Sequence, residues 1–170
     1  MNRRIILAGG GTAGHIEPAL AVADALKRID SKLELEFLGT TGGLENLLVP
    51  QRGYVLRTIP KAVLPRKLTI SALLFPIKLI LGLISARRII KGADLLIGFG
   101  GYVSASAYLG ARLAGVKIVI HEANARPGWA NRLGRRIAKV VAVNFESVRK
   151  DWSGAILTGM PIRKAITEVA

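Results

Sequence analysis

Residues 4–14 leave this chain few architectures. A short apolar run, Arg4–Ala8, stops at Gly9-Gly10-Gly11-Thr12-Ala13-Gly14, and a helix-patterned segment follows at once. A strand feeding a helix through glycines opens a strand–helix–strand unit, because glycines turn the chain tightly and present backbone N–H groups at a helix start. The alternation then continues. Strand-like runs occupy Leu33–Leu38, Tyr54–Ile59, Asp94–Ile97, Lys117–His121, Val140–Val143 and Ala155–Leu157. Helical patterns occupy Ile16–Ile29, Leu44–Arg52, Leu68–Lys91, Ser104–Ala114 and Trp129–Ala138. This order predicts an α/β fold, a Rossmann-like parallel sheet with helices on both faces. Ligands of such sheets bind beyond the carboxyl ends of the strands. The glycines collect there: Gly9–Gly11, then Gly39 with Gly42-Gly43, then Gly98 with Gly100-Gly101.

The chain has 170 residues, 51% of them apolar, which suits one domain with a sizeable core and excludes general disorder. It has no cysteine, so disulfide and thiolate chemistry are excluded and a reducing compartment is expected. The apolar run after Met1-Asn2-Arg3-Arg4 is too short for the core of an export signal. The formal charge is +14, an excess that calls for an anionic partner, either nucleic acid or an acidic membrane surface.

The glycine turn satisfies the spacing G-x-G-x-x-G, which raises the alternative of an NAD(P)-binding oxidoreductase domain. That reading requires a carboxylate at the end of the second strand to hold a ribose. The position reads Phe37-Leu38-Gly39-Thr40-Thr41, and Glu34 and Glu36 come too early. His15 follows the loop directly, where it would sit at the mouth of an anion-binding crevice as a candidate general base or as a helix-start residue bonding the loop. There is no Asp-x-Asp pair, and the two histidines have poor zinc spacing, so no metal held by this chain and no cofactor are expected.

Residues Gly9 through Ala23 resemble the opening signature of the MurG family. The resemblance continues through Leu38-Gly39-Thr40, Glu45 to Pro50, Gly98 to Ser104, His121-Glu122-Ala123-Asn124 and Gly159-Met160-Pro161-Ile162-Arg163, in the family's order across nearly the whole chain. It implies the N-terminal half of a GT-B glycosyltransferase that inverts configuration. Such an enzyme transfers N-acetylglucosamine from UDP-N-acetylglucosamine to the muramyl C4 hydroxyl of undecaprenyl-diphosphate-linked lipid I, giving lipid II. By resemblance, His15 is the base and Glu122 the second candidate or a residue that orients His15. Thr12, Ala13, Gly14, Asn124 and Arg163 would approach the donor. Gly10, Gly11, Gly100, Gly101, Tyr102 and Ser104 would meet the acceptor diphosphate. Ala13 and Met160 stand where many relatives carry glycine and asparagine. Trp129 and Asn131 are expected to order the helix that follows them. The family resemblance further implies an acceptor domain over residues 1–163, a linker beginning at 164–170, and a donor domain beyond. The chain alone is then expected to be inactive, whether it is a fragment or the acceptor subunit of a split lipid-linked transferase.

Between Glu45 and Asp94 there is no acidic residue, and Lys61, Arg66, Lys67, Lys78, Arg87 and Arg88 flank or interrupt a long Leu/Ile-rich stretch. Nucleic-acid binders interleave cations with exposed aromatics, whereas this segment interleaves them with Leu and Ile, so no nucleic acid is expected. Residues 68–86 approach the length of a membrane span. A span would place the third and fourth strands on opposite sides of a bilayer, where they could not share a sheet. The segment is therefore expected to lie peripherally on an anionic membrane surface, through Leu64, Leu68, Leu73, Leu74 and Phe75 with Lys61, Arg66, Lys67 and Lys78, and the family resemblance implies the cytoplasmic face. Val63, Ile70, Ile77 and Leu81 are further candidates.

Overall fold

A computed structural model of the chain describes residues 2–61 and 75–162. Seven strands form one wholly parallel sheet in the order β3-β2-β1-β4-β5-β6-β7. They are β1 (Arg4–Ala8), β2 (Glu34–Thr40), β3 (Val55–Ile59), β4 (Leu95–Gly98), β5 (Lys117–Glu122), β6 (Val140–Val143) and β7 (Ile156–Leu157). The described helices are α1 (Ala13–Ile29), α2 (Glu45–Gln51), α3 (Phe75–Ile90), α4 (Tyr102–Ala114), α5 (Trp129–Gly134) and α6 (Glu146–Asp151). The strand pattern predicted all seven strands to within two residues at each end, with β1 and β6 unchanged. Helix α6 went unread because its sequence, ESVRKD, carries a single buried apolar residue, Val148.

Both faces of the sheet are covered, which is why its central strands read as continuous apolar runs. Alternate residues serve opposite cores. Ile6, Ala8, Leu96, Ile118 and Ile120 face α3 and α4 through Ala86, Ile90, Val103, Ala107 and Tyr108. Ile5, Leu7, Leu35, Phe37 and Ile97 face α1 and α2 through Ile16, Leu20 and Val49. The order of strands reverses between β1 and β4, so the loops leaving these neighbours diverge to opposite faces and open a crevice above their carboxyl ends.

Helix α3 turns Gly82, Ala86 and Ile90 inward, the first two being small residues that allow close packing. Gly82 lies where a Cβ would come 3.1 Å from Ser106 Oγ, and Gly110 of α4 leaves room for Ala86. Its large residues Ile77, Ile80, Leu81 and Ile84 point outward and are 44–56% exposed. Their spacing of i, i+3, i+4 and i+7 makes one apolar stripe. Of the residues expected to meet a membrane, Leu64, Arg66, Lys67, Leu68, Leu73 and Leu74, with Val63 and Ile70, lie outside the described residues. Phe75 is partly buried and Lys78 exposed, while Ile80 and Ile84 join the stripe without having been singled out by the sequence.

Tyr108 is fully buried and lies between Gly98 and Gly134, either of whose added Cβ would overlap its ring. Gly98→Ala should therefore overpack this layer and cost about 2 kcal/mol or more. Urea unfolding of the variant checks this, and a loss below about 0.5 kcal/mol would show that the ring can move aside.

Candidate active site

The loop after β1 and the loop after β4 form the two walls of the crevice, and glycine geometry lets them meet. Gly11, Gly100 and Gly101 have φ of +86°, +95° and +85°, a region that favours glycine. A Cβ on Gly101 would overlap the carbonyl oxygen of Gly10. Between the walls is a cleft of ≈ 270 Å³ lined by Gly10, Gly11, Thr12, His15, Lys61, Gly100, Gly101, Tyr102, Glu122, Gly128, Trp129, Ala130 and Asn131.

The first wall is held from behind by Glu45, the first residue of α2. Its side chain is completely buried and accepts hydrogen bonds from Gly11 N (3.0 Å), Thr40 N (2.9 Å) and Thr40 Oγ1 (3.0 Å). A Cβ on Gly10 or Gly39 would come 2.6 Å from a Glu45 side-chain atom, and one on Gly43 would overlap the carboxyl outright. Three glycines read as ligand-approach positions thus leave space for a carboxylate of the protein itself. Burial pushes the Glu45 carboxyl up, but the backbone N–H groups of Gly11, Thr40 and Glu45 and the Thr40 hydroxyl outweigh it and hold the group below its ordinary range.

Glu122, at the end of β5, organises the second side. It is buried and accepts bonds from Asn124 N (2.9 Å), Asn124 Nδ2 (3.0 Å), Gly128 N (3.1 Å) and Asn131 Nδ2 (2.9 Å). Asn131 also accepts from the Tyr108 hydroxyl at 2.6 Å, so the β5–α5 loop is tied to the core through one carboxylate and one amide. Neighbouring His121 is buried, which lowers its pKa. Its Nε2 lies 2.9 Å from the carbonyl oxygen of Gly159, and its Nδ1 has no hydrogen-bond partner among the described residues.

His15 is half-buried beneath the second glycine wall, its Nε2 3.1 Å from where a Gly100 Cβ would stand. Its Nδ1 lies 3.1 Å from Thr12 Oγ1. A ring that donates Nδ1–H to Thr12 leaves the Nε2 lone pair free beside the cleft, the tautomer a proton acceptor needs.

The structure brings His15, Glu122, Thr12, Gly10, Gly11, Gly100, Gly101 and Tyr102 to one cleft. It does not bring Ser104, which is buried and donates its hydroxyl to Gly100 O at 2.7 Å, within reach also of Ala8 O at 3.2 Å. Gly11 lines the cleft, but its N–H is committed to Glu45. Ala13 and Gly14 line a separate groove with Glu17, Pro18 and Met160–Ile162. Asn124 spends its amide on Glu122, and Arg163 lies outside the described residues. Trp129 and Asn131, read from sequence as helix-ordering residues, both line the cleft. Lys61, assigned to a membrane surface, lines it too. Among the described residues no group of three or more His, Cys, Asp or Glu is placed to hold a metal ion.

A parallel sheet of this order with a glycine-walled cleft at its reversal point is a Rossmann-like domain, and its match to a MurG structure makes it the N-terminal domain of the GT-B glycosyltransferase architecture. The chain belongs to glycosyltransferase family 28, whose N-terminal domain matches residues 5–143. It is 51% identical over 168 residues to the UDP-N-acetylglucosamine–N-acetylmuramyl-(pentapeptide) pyrophosphoryl-undecaprenol N-acetylglucosamine transferase of Frankia casuarinae, covering 98% of this chain and 44% of that protein. The enzyme of the same name from Streptomyces avermitilis is 51% identical over 164 residues, covering 95% and 45%. The crystal structure of Acinetobacter baumannii MurG superposes with a TM-score of 0.79 at 32% identity, covering 95% of this chain and 46% of that one. The resemblance to the MurG family read from the motifs is thus upheld, and the chain spans about half the length of the relatives it matches.

The Glu45 bonds carry a pH signature. Its folded pKa lies below the ordinary value of 4.5, so its stabilisation is full above that value and is lost as pH falls through the folded pKa. Glu45→Ala should cost about 2–4 kcal/mol at neutral pH, and Glu45→Gln should flatten the acid limb of stability. Urea unfolding between pH 7 and 3 measures both, and an unchanged acid limb in Glu45→Gln would contradict the assignment.

Proposed function

We propose that this chain is the acceptor-binding half of an inverting transferase that moves N-acetylglucosamine from UDP-N-acetylglucosamine to the muramyl C4 hydroxyl of lipid I, making lipid II for peptidoglycan. The observation that carries this reading is the cleft itself: two glycine walls meet at the β1/β4 reversal with His15 on their edge, in a chain half-identical to transferases of that name.

In this mechanism the acceptor diphosphate lies along Gly10, Gly100 and Gly101, with Tyr102 beside it. The C4 hydroxyl points at His15. His15 Nε2 takes the hydroxyl proton as the oxygen attacks the anomeric carbon, and Thr12 Oγ1 accepts Nδ1–H and supports the forming imidazolium. The bond from the anomeric carbon to the UDP oxygen breaks on the opposite face, so configuration inverts. Glu122 acts as a positioning residue, because its carboxylate already accepts four bonds from the β5–α5 loop. Thr12, Ala13, Gly14, Asn124 and Arg163 are assigned to the donor, with most of its grip supplied by the remaining length of the relatives. The mechanism needs no cofactor from this chain.

The outward stripe of α3 is the proposed membrane contact, at the cytoplasmic face. Ile77, Ile80, Leu81 and Ile84 are exposed beside Lys78, Arg87 and Arg88, so apolar insertion and attraction to anionic lipid act together. Among the described residues no helix is long and apolar enough to cross a membrane.

Three outcomes test this reading. The 170-residue chain alone should show no turnover of UDP-N-acetylglucosamine with a lipid I analogue. In a protein of the relatives' full length, His15→Ala should lower kcat by about 10²–10⁴, and a change below threefold would make His15 structural. Partition onto vesicles containing phosphatidylglycerol should fall about tenfold or more in Ile80→Glu/Ile84→Glu, and equal partition would remove α3 from the membrane surface.

A further inference from the structure

We propose that Lys61 is the cation that holds the lipid-linked diphosphate in the cleft, an inference that rests on the acceptor reading above. A diphosphate brings at least two negative charges into a space already backed by two buried carboxylates, Glu45 and Glu122. The N–H of Gly11, the natural donor in such a loop, points away from the cleft to Glu45. Glycine walls alone therefore leave the charge poorly balanced. Lys61 is the one lysine or arginine among the described residues lining this cleft. It is exposed and makes no salt bridge among the described residues.

Its position is set by backbone packing. Lys61 follows Pro60 at the end of β3, and the Pro60 carbonyl oxygen stands 3.3 Å from where a Cβ of Gly82 would be. The absence of a side chain at Gly82 thus seats the end of β3 against α3. Lys61 is thereby held on the border between the cleft and the helix whose outer face carries the apolar stripe. A diphosphate could reach the cleft on a lipid or on a nucleotide. The border position favours the lipid, whose chain would leave toward α3, and the groove at Ala13 and Gly14 is a separate surface. Assignment of Lys61 to the membrane surface from charge pattern alone is replaced by assignment to the cleft.

The test is a fluorescence titration of the 170-residue chain, using Trp129 in the cleft as reporter, with geranyl diphosphate and with UDP. Lys61→Ala should raise the Kd for geranyl diphosphate about tenfold, and Lys61→Arg should stay within about threefold of the unaltered chain. Lys32→Ala removes the same charge at the opposite end of the sheet and should change the Kd less than about twofold. UDP affinity should move by less than about twofold in Lys61→Ala. Equal effects of Lys61→Ala and Lys32→Ala would overturn the proposal, and so would a loss of UDP binding in place of geranyl diphosphate binding. Anionic-vesicle partition should be the same for Lys61→Ala and Lys32→Ala, and a larger loss in Lys61→Ala would return Lys61 to the membrane surface. If the unaltered chain binds no geranyl diphosphate, the acceptor reading fails together with this one. Binding that survives Lys61→Ala intact overturns the Lys61 assignment alone.

Discussion

A completely buried carboxylate, Glu45, ties the first glycine loop to the end of β2. Because one of its partners is the Gly11 N–H, the loop cannot relax without exposing an unpaired buried charge, a costly outcome. Gly10, Gly39 and Gly43 lack side chains where that carboxyl stands, so three of the glycines make room for the clamp, and of these only Gly10 also lines the cleft. The clamp also bears on the dinucleotide alternative. A carboxylate lies behind the loop, and the end of β2 offers Thr40 in place of a ribose-binding acid. Glu36, the nearest earlier candidate, pairs with Arg4 at 2.9 Å and Arg57 at 3.5 Å.

With the first wall fixed, the rest of the site follows from the sheet. Parallel register places the loops of β1 and β4 side by side, and Gly101 lets the second wall close onto the Gly10 carbonyl. Helix α3 turns small residues inward, which brings the end of β3 to the cleft and leaves large apolar residues facing out. One packing choice, at Gly82 and Ala86, thus serves the proposed diphosphate site and the proposed membrane face at once.

The fold was legible in the sequence because its strands are apolar runs and its turns are glycines, two signals that local pattern carries well. The cleft was legible for the same reason at Gly10, Gly100 and Gly101, and for His15 because it adjoins a loop in sequence. Long-range partners were not legible. Nothing local marks Glu45 as the acceptor for Gly11, 34 residues away, or Asn131 as the bridge between Tyr108 and Glu122. Ser104 sits beside the second glycine wall in sequence, yet the first turn of α4 directs its hydroxyl into the core. Lys61 looked like its basic neighbours because charge pattern cannot tell which cation borders a cleft. The outward face of α3 became readable only once its packing against α4 set the helical phase.

The proposed function depends on a diphosphate site between the two glycine walls of β1 and β4. Titrating the ¹⁵N-labelled chain with geranyl diphosphate while recording amide shifts locates the bound diphosphate. The largest perturbations should fall at Gly10, Gly100, Gly101 and Tyr102, with Trp129 following and the groove at Met160–Ile162 little changed. Perturbations centred on that groove, or spread over the basic surface with no focus at the glycine walls, would contradict it.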